Sequence, residues 1–119
     1  MAGFKELNVW QLSKELAILI YKITAAGPFK SDFGLRDQIR RAAVSIPSNI
    51  AEGDERGSNK DTVRFFYMAK GSLAELQTQL IIAYEIGYID STILGDADER
   101  CQMLGKMIGA LIKARASNA

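Results

Sequence analysis

The sequence predicts an all-α fold, an antiparallel up-down-up-down four-helix bundle whose second helix is kinked at Pro47. Apolar residues recur at helical spacing through four long stretches, and no alternation typical of a strand persists within them. The two prolines and several glycines separate these stretches by short connections. One domain, 1–119, is predicted, because 119 residues with 48% apolar and 24% charged side chains suit one ordinary core.

The first predicted helix spans residues 8–26 and ends at Gly27-Pro28, a pair that does not continue a helix. The second spans residues 33–52, with Gly53 as the expected C-terminal cap. Its internal proline removes a backbone donor, which is the reason for the expected kink. The core-facing residues of these two helices are Val9, Leu12, Leu16, Leu19, Ile20, Ile23, Leu35, Ile39, Ala42, Ala43, Ile46 and Ile50.

The third predicted helix spans residues 58–86, where the Ser58 hydroxyl caps the start and Gly87 ends the helix. The fourth spans residues 91–116 and opens after Asp90. Their core lines consist of Phe66, Ala69, Leu73, Leu76, Leu80, Ala83 and Tyr84, and of Ile93, Ala97, Leu104, Met107, Ile108 and Leu111, with Cys101 at the edge.

Composition excludes several classes of function. The chain has no histidine and one cysteine, which rules out Ser-His-Asp and Cys-His catalysis, histidine-ligated metals and intrachain disulfides. No enzyme activity, cofactor or metal is therefore expected. No stretch has the length of a signal-peptide core or a membrane span, so a cytoplasmic protein without membrane contact is expected.

Some apolar residues remain after each helix has filled its core line. They form a second line on the first helix and occupy the far side of the third, and a helix that is apolar nearly all round is usually buried on more than one side. We expect them to form the interface of a homo-oligomer, although loops and the fourth helix are an alternative cover. These interface residues are Trp10, Ala17, Tyr21, Met68, Ile82 and Ile86.

Basic residues cluster despite a net charge of only +1. Several stand four residues apart, a spacing at which like charges repel along a helix and therefore do not strengthen it. Contacts to nucleic-acid phosphates are one interpretation, and a solvated face is the other. The candidate phosphate-contacting residues are Arg36, Arg40, Arg41, Arg56, Lys60 and Arg64.

A polar set lies on the second and third helices: Ser45, Asn49, Glu52, Ser72 and Glu75. Gly71, beside this set, is a poor choice for the middle of a helix and suggests close approach of another group. One interpretation is a structural clamp between the two helices, with Arg41 or Arg56 as its cation. The other is a recognition site for a ligand or partner.

Two blocks of sequence carry a family resemblance. Residues 38–53, QIRRAAVSIPSNIAEG, closely resemble the signature of the 23S ribosomal RNA intervening-sequence protein family, whose members are also labelled four helix bundle or ribosomal proteins. Residues 69–80, AKGSLAELQTQL, are similar to the second block of that family. The opening residues Phe4, Leu7, Val9 and Trp10 and the ending Gly87-Tyr88-Ile89 extend the likeness over residues 4–89.

The resemblance implies a left-handed four-helix bundle that assembles into a ring-like homo-oligomer, typically a pentamer. It attaches no enzymatic activity. Family members occur inside insertions of 23S rRNA genes, and a distant relative is a nucleic-acid-binding accessory of retroelement reverse transcriptases. The resemblance therefore also implies RNA or DNA as a partner.

The expected function is that of a non-enzymatic, homo-oligomeric scaffold, with association to RNA or a ribonucleoprotein as its leading specific form. A protein-binding adaptor without nucleic-acid contact is an alternative. A regulator with a small-ligand pocket near Asn49 and Glu75 is another.

Overall fold

The structure, a computed structural model, describes residues 3–117. Its long helices are α1 (Asn8–Thr24), α2 (Phe33–Asp54), α3 (Asn59–Glu85) and α4 (Ser91–Ala116). Short 3₁₀ turns, Phe4–Glu6 and Gly27–Lys30, precede α1 and α2, and no strand occurs within residues 3–117. The helix ends differ from those predicted by at most two residues. Residues 1, 2, 118 and 119 of the predicted domain lie outside the described range.

Consecutive helices pack side by side, and α1 closes the arrangement against α4. In the described part of the chain, the diagonal pairs α1–α3 and α2–α4 make no close backbone contact. Four helices on the corners of a square, joined by short connections, form an up-down-up-down bundle, so the predicted fold class is confirmed. The bundle measures 45 × 20 × 20 Å, and its long dimension is close to the length of the 27-residue α3.

Side chains cap the first turns of three helices. Oδ1 of Asp32 accepts a hydrogen bond from the N–H of Leu35 at 3.1 Å, and Oγ of Ser58 accepts one from the N–H of Asp61 at 3.3 Å. Asp90 caps α4 in the same way. Each bond satisfies a backbone donor that has no partner within its helix, which fixes where the helix begins. The cap predicted at Ser58 is confirmed, and α4 begins directly after Asp90, as predicted.

Gly87 ends α3 as predicted, because it adopts a φ of +84° that side-chain-bearing residues disfavour. Its N–H donates to the carbonyl of Tyr84 at 3.0 Å, and the N–H of Tyr88 donates to the carbonyl of Ala83 at 2.8 Å. This pair of bonds is the Schellman arrangement, which satisfies two carbonyls at the end of the helix. The chain then reverses into α4.

Helix α2 continues through Pro47 to Asp54 without a break. The proline ring removes the N–H that would otherwise donate to the carbonyl of Ala43. Pro47 is itself buried in the bundle. The expected kink at this position stays a prediction.

The core follows the predicted lines with two corrections. Cys101, expected at the edge, is fully buried, because the spacing of Ala97, Cys101, Leu104 and Ile108 continues the inner face of α4. Tyr84, expected in the core, is 41% exposed, because it lies in the last turn of α3 at the end of the bundle. The largest fully buried side chains include Phe29, Phe66, Leu16, Ile20, Ile39, Ile46, Ile50, Leu76, Leu80, Leu104 and Ile108.

Gly53 is not the C-terminal cap that the sequence predicts. It lies inside α2, buried against α3, and Glu55 follows the helix instead. A Cβ at Gly53 would lie 2.9 Å from Cβ of Phe65 and 3.0 Å from Cε1 of Phe66. Such distances are shorter than real Cβ contacts, so the missing side chain is what lets α2 and α3 approach here.

Gly71, by contrast, does not mark a close approach. No atom outside its own helix neighbourhood lies within 4 Å of a Cβ built at this position, and the residue is exposed. The expectation of close contact at Gly71 is therefore wrong. The position simply tolerates glycine on the outer face of α3.

These two glycines give a matched pair of substitutions. Gly53→Ala forces a shift against the Phe65 Cβ, which is rigidly attached to the backbone, and should lower the free energy of unfolding by about 1–3 kcal/mol. Gly71→Ala adds a good helix former in open space and should raise that free energy by up to about 1 kcal/mol. Urea unfolding followed by circular dichroism measures both. Equal stability of Gly53→Ala and the wild type would contradict the steric argument.

Candidate functional site

The hydroxyl and amide members of the predicted polar set bond within their own helices. Oγ of Ser45 donates to the carbonyl of Ala42 at 2.9 Å, and Nδ2 of Asn49 donates to the carbonyl of Ser45 at 2.8 Å. Oγ of Ser72 donates to the carbonyl of Met68 at 3.1 Å. Short polar side chains on a helix reach the carbonyl three or four residues earlier, so they need no partner on the next helix.

The acidic members of the set do not join the helices either. Oε1 of Glu52 pairs with Nη2 of Arg56 at 2.6 Å, one turn along the chain, and Glu75 is exposed on α3. The expected pairing of Arg56 with Glu52 is present, but neither it nor the bonds of Ser45, Asn49 and Ser72 join α2 to α3 as the predicted clamp requires. The alternative, a recognition site at these residues, stays a prediction.

Other polar contacts join the helices instead. Their partners are 9 to 61 residues apart in sequence, so no local spacing reveals them. They are Thr62 Oγ1 to the Gly53 carbonyl at 2.8 Å, Arg40 Nε to Thr24 Oγ1 at 2.8 Å, Tyr88 hydroxyl to Asp32 Oδ2 at 2.8 Å, and Arg115 Nη2 to Asp54 Oδ1 at 3.1 Å. The only sequence signal is that threonine occupies two core-facing positions, where each hydroxyl needs a partner.

The contact between Tyr88 and Asp32 changes the pKa values of both groups. Hydrogen bonds from the N–H of Leu35 and from the Tyr88 hydroxyl hold the pKa of the Asp32 carboxyl below its usual range. The bond to Asp32 raises the pKa of the Tyr88 phenol. The stabilisation from Asp32 is lost as pH falls through its lowered pKa, and that from Tyr88 as pH rises through its raised pKa. The pair therefore supports the fold throughout the neutral range.

Substitutions of Thr62 and Asn49 test which polar contacts hold α2 against α3. Thr62→Val removes a buried donor to the Gly53 carbonyl and should lower the free energy of unfolding by about 1 kcal/mol. Asn49→Ala removes a hydrogen bond within α2 but improves helix propensity. It should therefore change the free energy of unfolding by less than about 0.5 kcal/mol. Chemical denaturation measures the free energy of unfolding of both variants. A larger loss of this free energy for Asn49→Ala than for Thr62→Val would support a structural clamp at the polar set.

The six candidate phosphate-contacting bases form two groups rather than one surface. Arg36, Arg40 and Arg41 lie in the first half of α2, whereas Arg56, Lys60 and Arg64 lie around the connection between α2 and α3. At 1.5 Å per residue, the 20 positions from Arg36 to Arg56 span about 30 Å. A single short ligand therefore does not contact both groups.

Most of these bases are already engaged with neighbouring side chains. Arg36 pairs with Asp37 at 3.2 Å, and its guanidinium lies 4.7 Å from the ring centre of Phe33. Arg56 and Arg64 flank the ring of Phe65 at 4.3 and 4.7 Å, and each lies near an acid on its own helix or the adjoining turn. Cation–π contacts of this kind anchor an arginine on the surface.

Arg41 and Lys60 are exposed, and no carboxylate within residues 3–117 forms an ion pair with either. Arg40 likewise forms no ion pair in the described chain, although it contacts α1. The uncompensated charge is therefore concentrated at Arg40 and Arg41 in one group and at Lys60 in the other.

Arg40 and Arg41 border an open groove of about 580 Å³ between α1 and α2. The α1–α2 groove is lined by Tyr21, Asp37, Arg40, Arg41, Val44, Ser45 and Ser48. Nε of Arg40 donates to Oγ1 of Thr24, and Nη2 lies 3.4 Å from the carbonyl of Tyr21. The guanidinium of Arg40 also stacks on the Tyr21 ring at 4.4 Å. The groove therefore combines fixed positive charge with exposed apolar and hydroxyl groups.

The predicted interface residues on α3 are at the surface. Met68, Ile82 and Ile86 are 46%, 44% and 52% exposed. Their separations of 14 and 4 residues place them within about 40° of one another around the helix. We call these three residues the α3 apolar row.

The predicted interface residues on α1 have different positions. Tyr21 is 46% exposed, and Trp10 is half-buried, with Phe4 edge-on at 5.2 Å and the Lys14 ammonium 5.2 Å from its ring centre. Ala17 is buried in the core, so its assignment to the surface is wrong. It lies between the core line and Tyr21 around the α1 helix.

Other reactive features were sought in the described residues. Within residues 3–117 no group of three or more acidic or cysteine side chains is arranged to hold a metal ion, and no helix is long and apolar enough to cross a membrane. Burial raises the pKa of the Cys101 thiol to about 12, so the thiolate needed for nucleophilic chemistry does not form near neutral pH.

Comparisons with known proteins give the chain a context. A family model described as 23S rRNA-intervening sequence protein matches residues 5–110. A crystal structure of a protein with unknown function from the S23 ribosomal protein family of Bacteroides thetaiotaomicron VPI-5482 is similar, with a TM-score of 0.81. The likeness has 24% sequence identity over 88% of this chain and 98% of that chain, and it shows the fold alone. No match is found among curated proteins.

Proposed function

The chain belongs to the 23S rRNA-intervening sequence protein family, and we propose that it is a non-enzymatic helical scaffold that assembles with copies of itself. Neither the family description nor that of the similar structure names a catalytic activity. The proposal includes a cytoplasmic location.

The observation that carries self-assembly is the α3 apolar row. Met68, Ile82 and Ile86 expose about half of their surface on one side of a helix whose opposite side already forms the core. Removing apolar surface from water stabilises an association by about 25 cal/mol for each Å². Aligned apolar residues on a helix surface are typical of a site where another protein packs.

The position of Trp10 supports a ring as the form of assembly. Trp10 lies half-buried on α1, and α1 is diagonally opposite to α3 in the bundle, whereas Tyr21 lines the α1–α2 groove. A protomer that uses two different surfaces for contact associates head to tail. Such an interface closes into a ring when the rotation between neighbouring protomers permits closure. A pentamer is the ring size that the family resemblance implies.

Substitutions on α3 test the proposed interface. Met68→Glu and Ile82→Glu place a carboxylate in the contact, where its desolvation is unfavourable, and should shift the assembly towards a 13.1 kDa protomer. Met103→Glu is the matched control, because Met103 is 52% exposed on α4, outside the α3 apolar row. Light scattering coupled to size-exclusion chromatography measures the mass of each variant.

A wild-type protein that remains a 13.1 kDa species at micromolar concentration would contradict self-assembly. Equal masses for Met68→Glu and Met103→Glu would exclude the α3 apolar row as the interface. Circular dichroism of each variant separates loss of assembly from loss of fold.

Association with RNA is the leading specific form of the proposal. The family description refers to 23S rRNA, and three of the six candidate bases, Arg40, Arg41 and Lys60, form no ion pair within residues 3–117. Contacts from arginine and lysine to phosphates hold a strand without reading its sequence. A ring repeats each basic patch in every protomer, so weak contacts to one RNA strengthen one another.

A salt series tests phosphate contact directly. The affinity for a labelled single-stranded RNA should fall as salt rises, with a logarithmic slope of about −0.7 for each phosphate neutralised. Fluorescence anisotropy with RNA and with DNA of the same sequence provides the measurement. Affinity independent of salt would exclude phosphate contact as the driving interaction. No binding at low salt would favour the protein-binding adaptor that the sequence leaves open.

A further inference from the structure

Arg40 is held in place before any ligand arrives. Its Nε donates to Oγ1 of Thr24 at 2.8 Å, and Thr24 is 1% exposed and donates in turn to the carbonyl of Ile20 at 2.7 Å. The stacked ring of Tyr21 supports the flat face of the guanidinium at 4.4 Å. A long side chain normally loses rotamer freedom when it binds, and these contacts have already removed that freedom.

The fixed guanidinium of Arg40 has further N–H donors available for a ligand. Arginine has five N–H groups, of which one donates to Thr24 and one approaches the carbonyl of Tyr21 at 3.4 Å. About three N–H groups therefore remain for a ligand. Planar donors at fixed positions match the oxygens of a phosphate better than a flexible ammonium does.

The charge around the α1–α2 groove favours an anion. Arg40 and Arg41 both line it, and Asp37 is the one carboxylate in its lining. Arg36 donates to Oδ1 of Asp37 at 3.2 Å, which offsets that negative charge. The four side chains together carry a net charge of +2, from three guanidiniums and one carboxylate.

The remaining lining suits a phosphate attached to an organic group. The exposed side chains of Ser48 and Arg41 line the groove together with Arg40. Tyr21 and Val44, 46% and 40% exposed, provide an apolar surface next to these donors. A nucleotide unit presents the same combination, since it joins a phosphate to a flat base that stacks on aromatic or guanidinium surfaces.

We propose that the α1–α2 groove is a phosphate-recognition site in which Arg40 is the fixed binding group and Arg41 closes on the ligand. The phosphate belongs to an RNA strand if the RNA association proposed above holds, and to a free nucleotide or phosphate otherwise. The site assigns different roles to two adjacent arginines: Arg40 positions the anion, and Arg41 adds charge from the rim.

The test uses NMR spectra of ¹⁵N-labelled full-length protein. Inorganic phosphate, uridine monophosphate and a single-stranded oligouridine RNA are titrated in turn, and the backbone amides of Arg41, Ser45 and Ser48 are followed with the Arg40 Nε–H signal. Saturable shifts confined to these signals are expected. Shifts from all three probes identify a general phosphate site, and shifts from the RNA alone identify a strand-binding site.

Arg41→Ala is the decisive variant, because Arg41 is exposed and makes no ion pair within residues 3–117. It should weaken binding about tenfold, which corresponds to the loss of one charge-assisted contact. Arg100→Ala is the matched control, because Arg100 is exposed on α4, diagonally opposite to α2, and it should leave the affinity within about twofold. Arg40→Lys retains the positive charge but lacks the planar set of guanidinium N–H donors, so it should also weaken binding.

The outcomes separate this site from RNA association in general. If RNA binds with the expected salt dependence but Arg41→Ala and Arg100→Ala bind it with the same affinity, the groove is excluded and RNA association stands. If phosphate shifts the groove signals while RNA fails to bind, the groove stands and RNA association is excluded. Absence of groove shifts with all three probes overturns the site.

Discussion

The approach of α2 to α3 at Gly53 is the contact on which the bundle depends. At this position a hydrogen atom stands where any other residue would place a Cβ 2.9 Å from Phe65. The backbones therefore come close enough for Thr62 to donate to the Gly53 carbonyl. This antiparallel alignment also brings Tyr88 to Asp32 at the other end of α2, so one steric feature and two hydrogen bonds fix the register of the two helices.

The same packing decides which apolar residues remain outside. A square bundle buries one stripe of each helix, and within residues 3–117 the diagonal pairs make no close backbone contact. The α3 apolar row lies beyond the stripe that α3 buries, so no other helix of the protomer is available to cover it. Ala17 differs from the α3 apolar row, since it is buried in the protomer while Tyr21, one turn further along α1, remains exposed.

Arginines have three distinct roles in this structure, and sequence spacing alone does not separate them. Arg115 joins α4 to Asp54 of α2, which is structural. Arg56 and Arg64 lie on Phe65 and near acids, so their charge is largely compensated. Arg40 is anchored through Thr24 and Tyr21 but has no acidic partner among the described residues, which makes it the base best prepared to hold an anion.

The sequence by itself determined the four helices, the caps at Ser58, Asp90 and Gly87 and most of the core, because local hydrogen bonding and helical periodicity set these features. The tertiary structure alone decided that Gly53 is a contact point rather than a cap, and that Thr62 supplies the hydrogen bond from α3 to the Gly53 carbonyl. It also decided that Arg40 reaches Thr24. These features depend on distances between residues far apart in the chain, which periodicity within one helix does not contain.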